Sequence, residues 1–191
     1  MQSEIEVLKK IISERRSVFP AVYNDRKIEK SVLEAVLESA NHAPSHRLTQ
    51  PWRFVVFQNE ALNELGDKIA EIYKANAPAD KFSEKKYEEF AKKIKKSAAV
   101  VAIVMQAHPD LLPEWEEIAA TACAVENMWL TCTAHGLGSY WSSPGMIKHI
   151  GPFLNLEENQ KCIGLFYMGY TDVQIPATER TSIDEKVEWR G

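Results

Sequence analysis

Three cysteines in 191 residues, Cys123, Cys132 and Cys162, are odd in number and irregularly spaced. They build no disulfide framework and lack the paired spacing of a zinc site. Cys123 and Cys132 fall inside an apolar pattern, where a thiol behaves as a small buried hydrophobe, and this suits a reducing cytoplasm. No stretch approaches the ~20 apolar residues of a membrane span. Residues 1–20 carry Glu4, Glu6, Lys9, Lys10 and Glu14 instead of the apolar centre of a signal peptide, so a soluble, cytoplasmic protein is expected. A basic excess is also missing. The formal net charge is −4, which gives no electrostatic footprint for nucleic acid or an anionic membrane. The one basic cluster, Lys92, Lys93, Lys95 and Lys96, lies beside Glu84, Glu88 and Glu89 and reads as a solvated helix face. There is no Ser/His/Asp arrangement, no His-Glu metal motif and no dinucleotide fingerprint, since Gly136-Leu137-Gly138 lacks the further spacing. Repeats and low-complexity segments are absent too, and the length fits a single domain over residues 1–191.

What is present centres on Asn41 to Trp52, NHAPSHRLTQPW. Pro44 and Pro51 fix their own φ and push the preceding residues out of the helical region. The segment is therefore an irregular loop that gathers imidazole, guanidinium, amide and hydroxyl groups, with Trp52 as an anchor. It reads either as a site for a polar, partly aromatic ligand or as an ordinary helix-to-strand connection with a buried tryptophan.

Taken in order, Ser3 and Glu6 form a capping box ahead of Ile5, Leu8, Ile11 and Ile12. That helix ends near Arg15-Arg16-Ser17. Two guanidiniums and a hydroxyl at this exit either grip a phosphate or complement the helix dipole. Ser31 and Glu34 suggest a second capping box, followed by Leu33, Val36, Leu37 and Ala40. Arg53 to Phe57 is a strand. Asn59 caps a helix carrying Leu62, Leu65, Ile69 and Ile72. Ala77 to Asp80 breaks it, and Ser83 to Lys96 forms a charged helix with Tyr87, Phe90 and Ile94 inward. Ala98 to Met105 is a buried central strand, closed by His108 and Pro109.

Glu114 to His135 is the longest helical signal, ended by Gly136. It is apolar nearly all round, so it must be enclosed on every side; in so short a chain this predicts a homodimer. Ser142-Ser143-Pro144 looks like a helix N-cap beside Trp141, offering free N–H groups, with Gly151 ending the short helix. Ile163 to Tyr170 is a last strand. The tail from Thr171 to Gly191, with Pro176, Arg180, Trp189 and Arg190, has no periodicity of its own and is expected to embrace a partner subunit.

In combination, Arg15-Arg16-Ser17, Ala43-Pro44-Ser45 with Gln50-Pro51-Trp52, the apolar helix ending in Gly-Leu-Gly and Trp141-Ser142-Ser143-Pro144 resemble the FMN-dependent nitroreductase family, most of all its short members. The resemblance spans nearly the whole chain. It implies an α+β, nitroreductase-like fold: a mostly antiparallel central sheet flanked by helices, in an intertwined homodimer with FMN at the interface. It further implies that Arg15, Arg16 and Ser17 hold the FMN phosphate and ribityl chain. His42 and His46 come from the other subunit, with Ser45 and Gln50 on the same loop. Trp141, Ser142 and Ser143 run along the flavin ring, where a backbone N–H meets N5. The implied activity is ping-pong hydride transfer from NAD(P)H to nitroaromatic, quinone or related flat acceptors, with no catalytic side chain. The alternatives are a flavin-dependent dehydrogenase of a specific metabolite and a non-catalytic flavin-binding protein. Phe19 and Leu48 depart from the commoner pattern of basic and asparagine residues. Support for the flavin's pyrimidine edge then falls to Arg47 or His46, and Arg180 is the nearest basic candidate in the tail.

Overall fold

The computed structural model describes residues 2–191. Ser3 Oγ accepts the N–H of Glu6, and the Glu6 carboxylate accepts the N–H of Ser3 at 2.9 Å, opening α1 (Glu4–Glu14) as predicted. The apolar stripe of α1 faces outward: Ile5, Leu8 and Ile12 are exposed and none of its residues is buried. The second capping box does not form. Helix α2 (Lys30–Ala40) starts a residue before Ser31, its N-cap Glu29 makes no side-chain bond, and Glu34 turns to Lys30 at 3.4 Å. The apolar face that begins at Ile28 and Leu33 decides where this helix starts, because both residues are core.

Strand β1 (Trp52–Phe57) leads to α3 (Glu60–Asn76). Asn59 occupies the N-cap position, but its side chain makes no cap bond and its φ is 53°. In α4 (Glu84–Lys95), Ser83 Oγ does accept the N–H of Lys86. Strand β2 (Ala99–Gln106) then crosses the molecule and α5 (Glu114–Ala134) returns over it. Strand β3 (Gly138–Ser142), the short α6 (Gly151–Leu154) and β4 (Gln160–Gly169) complete the regular elements.

The four strands make one antiparallel sheet in the order β1-β2-β4-β3, so the α+β expectation holds. Residues of β2 alternate between the two faces. Val101 and Ile103 join Val36, Val125, Met128 and Phe166 under α2 and α5. Val100, Ala102 and Val104 join Leu65, Ile69, Ile94 and Leu165 under α3 and α4. Each face thus has its own core, and β2 between them is buried almost to its end, as an unbroken apolar run requires.

Gly138–Ser142 is an edge strand whose aromatic residues Tyr140 and Trp141 pair with Tyr167 and Phe166 of β4. Three expectations about the second half need correction. Pro144 is itself the N-cap of a 3-10 turn over Gly145–His149, with ψ 145°, so Ser143 does not cap a helix. Gly151 begins α6 and does not end a helix. Cys123 also lies on the outer face of α5, whereas Cys132 and Cys162 are buried. Past Tyr170 the chain leaves the sheet. Apart from a 3-10 turn at Ile183–Lys186 the tail is irregular, and Trp189 is 89% exposed. Among the described residues no helix is long and apolar enough to cross a membrane.

Candidate functional site

The predicted site residues fall into two groups, each built on α5. The first gathers where α1 ends. The Trp129 indole N–H donates to the carbonyl of Arg16 at 3.1 Å, and the Arg15 guanidinium lies 4.6 Å from the centre of the Trp129 ring. Arg15 Nε is also 3.7 Å from Glu126. Burial raises the Glu126 carboxyl above its ordinary range, and Arg15 opposes that rise. Arg16 donates to the carbonyls of Ser13 at 2.5 Å, Arg15 at 2.9 Å and Pro176 at 3.3 Å. Those bonds use Nε and Nη1, and Nη2 has no hydrogen-bond partner among the described residues. The chain then runs along the outer edge of β3: Ser17 bridges Ser139, and the N–H of Val18 donates to the Ser139 carbonyl at 3.0 Å. The exit of the first helix and the Trp141–Ser143 stretch therefore share one sheet edge.

Trp141 sits there for a backbone reason. Between β2 and β4 the register slips, pairing Ile103 with Gly164 but Val104 with Cys162. Gly164 has φ +157°, and a Cβ on it would collide with Trp141 Nε1 and stand 2.7 Å from the Ser142 carbonyl. The glycine bulge thus makes room for the indole. Trp141 Nε1 is buried and has no hydrogen-bond partner among the described residues. Ser142 Oγ is 3.5 Å from Lys93 Nζ, and Ser143 is exposed just beyond the strand.

The second group is the proline-bounded loop. Arg47, Leu48 and Gln50 have φ of 52°, 56° and 45°, left-handed values that L-residues other than glycine rarely take. Local bonds hold them there. Ser45 Oγ accepts the N–H of Gln50 at 3.1 Å, Arg53 donates to the Gln50 carbonyl at 2.8 Å, and His46 Nδ1 lies 2.5 Å from Glu116. His42 Nε2 is 3.7 Å from Glu38. Leu48 projects 81% exposed.

Within one chain the two groups do not meet. The loop is fastened to Glu116 and the helix exit to Trp129, thirteen residues apart on one helix, or roughly 20 Å along its axis. A single site using both groups needs two chains. Arg180 joins neither; its recorded bond is to its neighbour's carbonyl, Glu179, at 3.3 Å. Two further residues matter here: Glu116, which fastens the loop and was not singled out in the sequence, and Lys93, which was assigned to a solvated helix face but turns in to Tyr140 and Ser142. The signal for Lys93 lay in its spacing. With Lys86 it flanks the inward Phe90 at i−4 and i+3, so it shares that face of α4.

A four-stranded antiparallel sheet covered by helices on both faces, with a cationic helix exit beside one edge strand, defines an α+β protein. A sequence model of the nitroreductase family matches residues 12–170, and the chain belongs to that family. YfhC of Bacillus subtilis, provisionally named an NAD(P)H nitroreductase, is 26% identical over 183 residues, covering 94% of this chain and 92% of that protein. The crystal structure of a nitroreductase-like family protein from Bacillus cereus, also 26% identical, superposes with a TM-score of 0.83 over 100% of this chain and 98% of that one. That of NfnB from Mycobacterium smegmatis, an FMN-dependent nitroreductase in complex with NADPH, is 18% identical and gives 0.76 over 99% and 100% of the two chains, a likeness of fold.

Proposed function

We propose that this chain is an FMN-dependent oxidoreductase that uses NAD(P)H, working in the cytoplasm as a homodimer of single-domain subunits. The observation that carries the reading is the shared edge of Ser17 and β3, which sets the Arg15-Arg16-Ser17 exit beside Trp141. A phosphorylated flavin fits what stands there. Arg16 keeps Nη2 for a phosphate, and Trp141, Ser142 and the exposed Ser143 follow Ser139 on the same edge strand and just past its end. When bound, FMN supplies the redox chemistry, taking hydride from NAD(P)H and passing it to a flat acceptor in two half-reactions.

The chain's own contribution is binding and orientation. Arg15, Arg16 and Ser17 hold the anionic end. Trp141, Ser142 and Ser143 would line the ring and offer backbone groups to it. His42, Ser45, His46 and Gln50 close the site from the second subunit. Their strained loop is held for that purpose by Glu116. Nitroaromatics, quinones and related flat molecules are the acceptor class, since each can stack where the nicotinamide leaves. Outward-facing Ile5, Leu8 and Ile12 of α1, with Trp115 and Ile118 of α5, offer the apolar surface for the dimer.

The test is the visible spectrum of the purified protein, followed by anaerobic addition of NADPH and then NADH. Flavin absorbance that bleaches with one nucleotide and returns with a nitroaromatic supports the reading. Bound flavin that neither nucleotide bleaches sinks it.

A further inference from the structure

Between α3, α4 and the turn after β3 lies a cavity of about 610 Å³, within the size range of small-molecule sites. Tyr73 and Phe90, with ring centres 5.1 Å apart, and Met146 give it an apolar wall; Pro144 and Gly145 join it to the end of β3. Three of its lining residues are Lys81, Lys86 and Lys93. Of the other lysines of the same helix and its C-cap, Lys85 pairs with Glu89 at 3.9 Å, Lys95 with Asp67 at 2.5 Å and Lys96 with Asp25 at 2.8 Å, while Lys92 lies outside the cavity. Lys81, Lys86 and Lys93 have no carboxylate within ion-pair distance among the described residues, and Glu89, the one acid on the wall, leans to Lys85.

Lys93 is also fixed in place. Its Nζ donates to Tyr140 Oη at 2.7 Å and stands 4.3 and 4.5 Å from the centres of the Tyr140 and Tyr167 rings. These two rings stack with centres 5.4 Å apart. An ammonium over two aromatic faces is stabilised there while keeping its charge. The basic cluster of α4 is thus divided: Lys95 and Lys96 are paired with acids, Lys92 stays in solvent, and Lys93 turns inward to the cavity that the exposed Lys86 also lines. Uncompensated cations around an apolar recess select a ligand with a flat apolar body and an anionic group.

We propose that this cavity is the subsite for the anionic group of a flat ligand whose reacting end lies at the Trp141–Ser143 edge; the proposal rests on the flavin reading above. A carboxylate on the electron acceptor and the 2′-phosphate of NADPH are two sources of that one chemistry. The test compares the holoenzyme with its Lys81→Gln/Lys86→Gln variant. The acceptors are 4-nitrobenzoate and its neutral isostere 4-nitrobenzamide, and the donors are NADPH and NADH. Loss of two surface charges is expected to raise the KM ratio of nitrobenzoate to nitrobenzamide by roughly 3–10-fold if the acceptor is the source. An equal rise in the NADPH-to-NADH ratio identifies the phosphate instead. Both ratios unchanged overturn the proposal. Binding of 4-nitrobenzoate followed by ligand-observed NMR separates this outcome from failure of the redox reading. Lysine-dependent binding in a protein that reduces nothing retains the cavity and sinks the redox reading. Lysine-independent binding in an active enzyme does the reverse.

Discussion

Glu117, only 1% exposed, accepts two hydrogen bonds from one residue: the backbone N–H of His108 at 2.7 Å and its ring Nδ1–H at 2.6 Å. His108 follows β2 and Glu117 lies in the first turn of α5, so the pair fixes the angle at which the central strand hands over to the longest helix. A buried carboxylate without solvent depends on such partners. Glu117→Ala strands both donors and is expected to cost ~3–5 kcal/mol in urea denaturation, while Glu117→Gln, which retains one acceptor oxygen, costs less. An alanine variant within 1 kcal/mol of the parent, on the order of an ordinary surface change, would show that the pair is dispensable.

The helix exit gives the next expectation. Arg16→Ala removes the guanidinium assigned to the phosphate, and loss of a charge-assisted bond typically costs ~1.5–3 kcal/mol. Fluorescence titration of the stripped protein with FMN should show the weakening, with riboflavin affected less because it carries no phosphate. Equal losses for the two ligands would remove Arg16 from the phosphate site.

Gly164→Ala places a methyl group against Trp141 Nε1 and the Ser142 carbonyl, at a φ that suits glycine. The strand cannot yield without breaking the β3–β4 pairing, so both stability and flavin retention should fall. Thermal melting of the flavin-free and flavin-loaded protein measures the two effects. An unchanged melt in both would mean that the bulge tolerates a side chain.

Burial pushes the Cys132 thiol from its ordinary 9.0 up to about 12 and pushes Cys162 up to about 11. Burial also raises the phenols of Tyr23 and Tyr167. In each case the folded state holds the proton more tightly than the unfolded chain. Their contribution is whole below pH 9 and is lost as pH climbs from there through the folded values. The Tm should therefore decline above pH 9, and iodoacetamide at pH 8 should leave Cys132 and Cys162 unmodified until denaturant is added. Rapid native alkylation of either thiol contradicts this.

The outward stripe of α1 supplies the assembly test. Leu8→Glu puts a charge in the proposed interface without touching the chain's own core, since α1 buries nothing. Gel filtration at low micromolar concentration should shift from dimer to monomer mass while the circular dichroism spectrum is retained. A variant that still elutes as a dimer places the interface elsewhere.

Much of this architecture was legible in the residues. Ala98 to Met105 favours a buried central strand by its length and its valine and isoleucine content, and β2 is that strand. The Ser3–Glu6 capping box and the Ala77–Asp80 break also emerged where local chemistry placed them. What escaped was set by tertiary contacts. Ser31 and Glu34 carry the right types for a capping box, but burial of Ile28 and Leu33 moved the helix start. Gly138 to Ser142 is too short to announce itself; it is a strand because β4 offers an edge. The two halves of the candidate site were nameable from motif combinations. That they stand at different stations along α5, and that Glu116 and Lys93 support them, required coordinates.

The anchorage of Arg16 also bears on how the chain is made. Its carbonyl waits for the indole of Trp129, 113 residues later, and Ser17 waits for Ser139. At ribosomal speeds of ~5–20 residues per second α1 emerges roughly 6–23 s before Trp129 does. Its apolar side stays open even then, because α1 buries nothing within the chain, and its cover is left to the proposed second subunit.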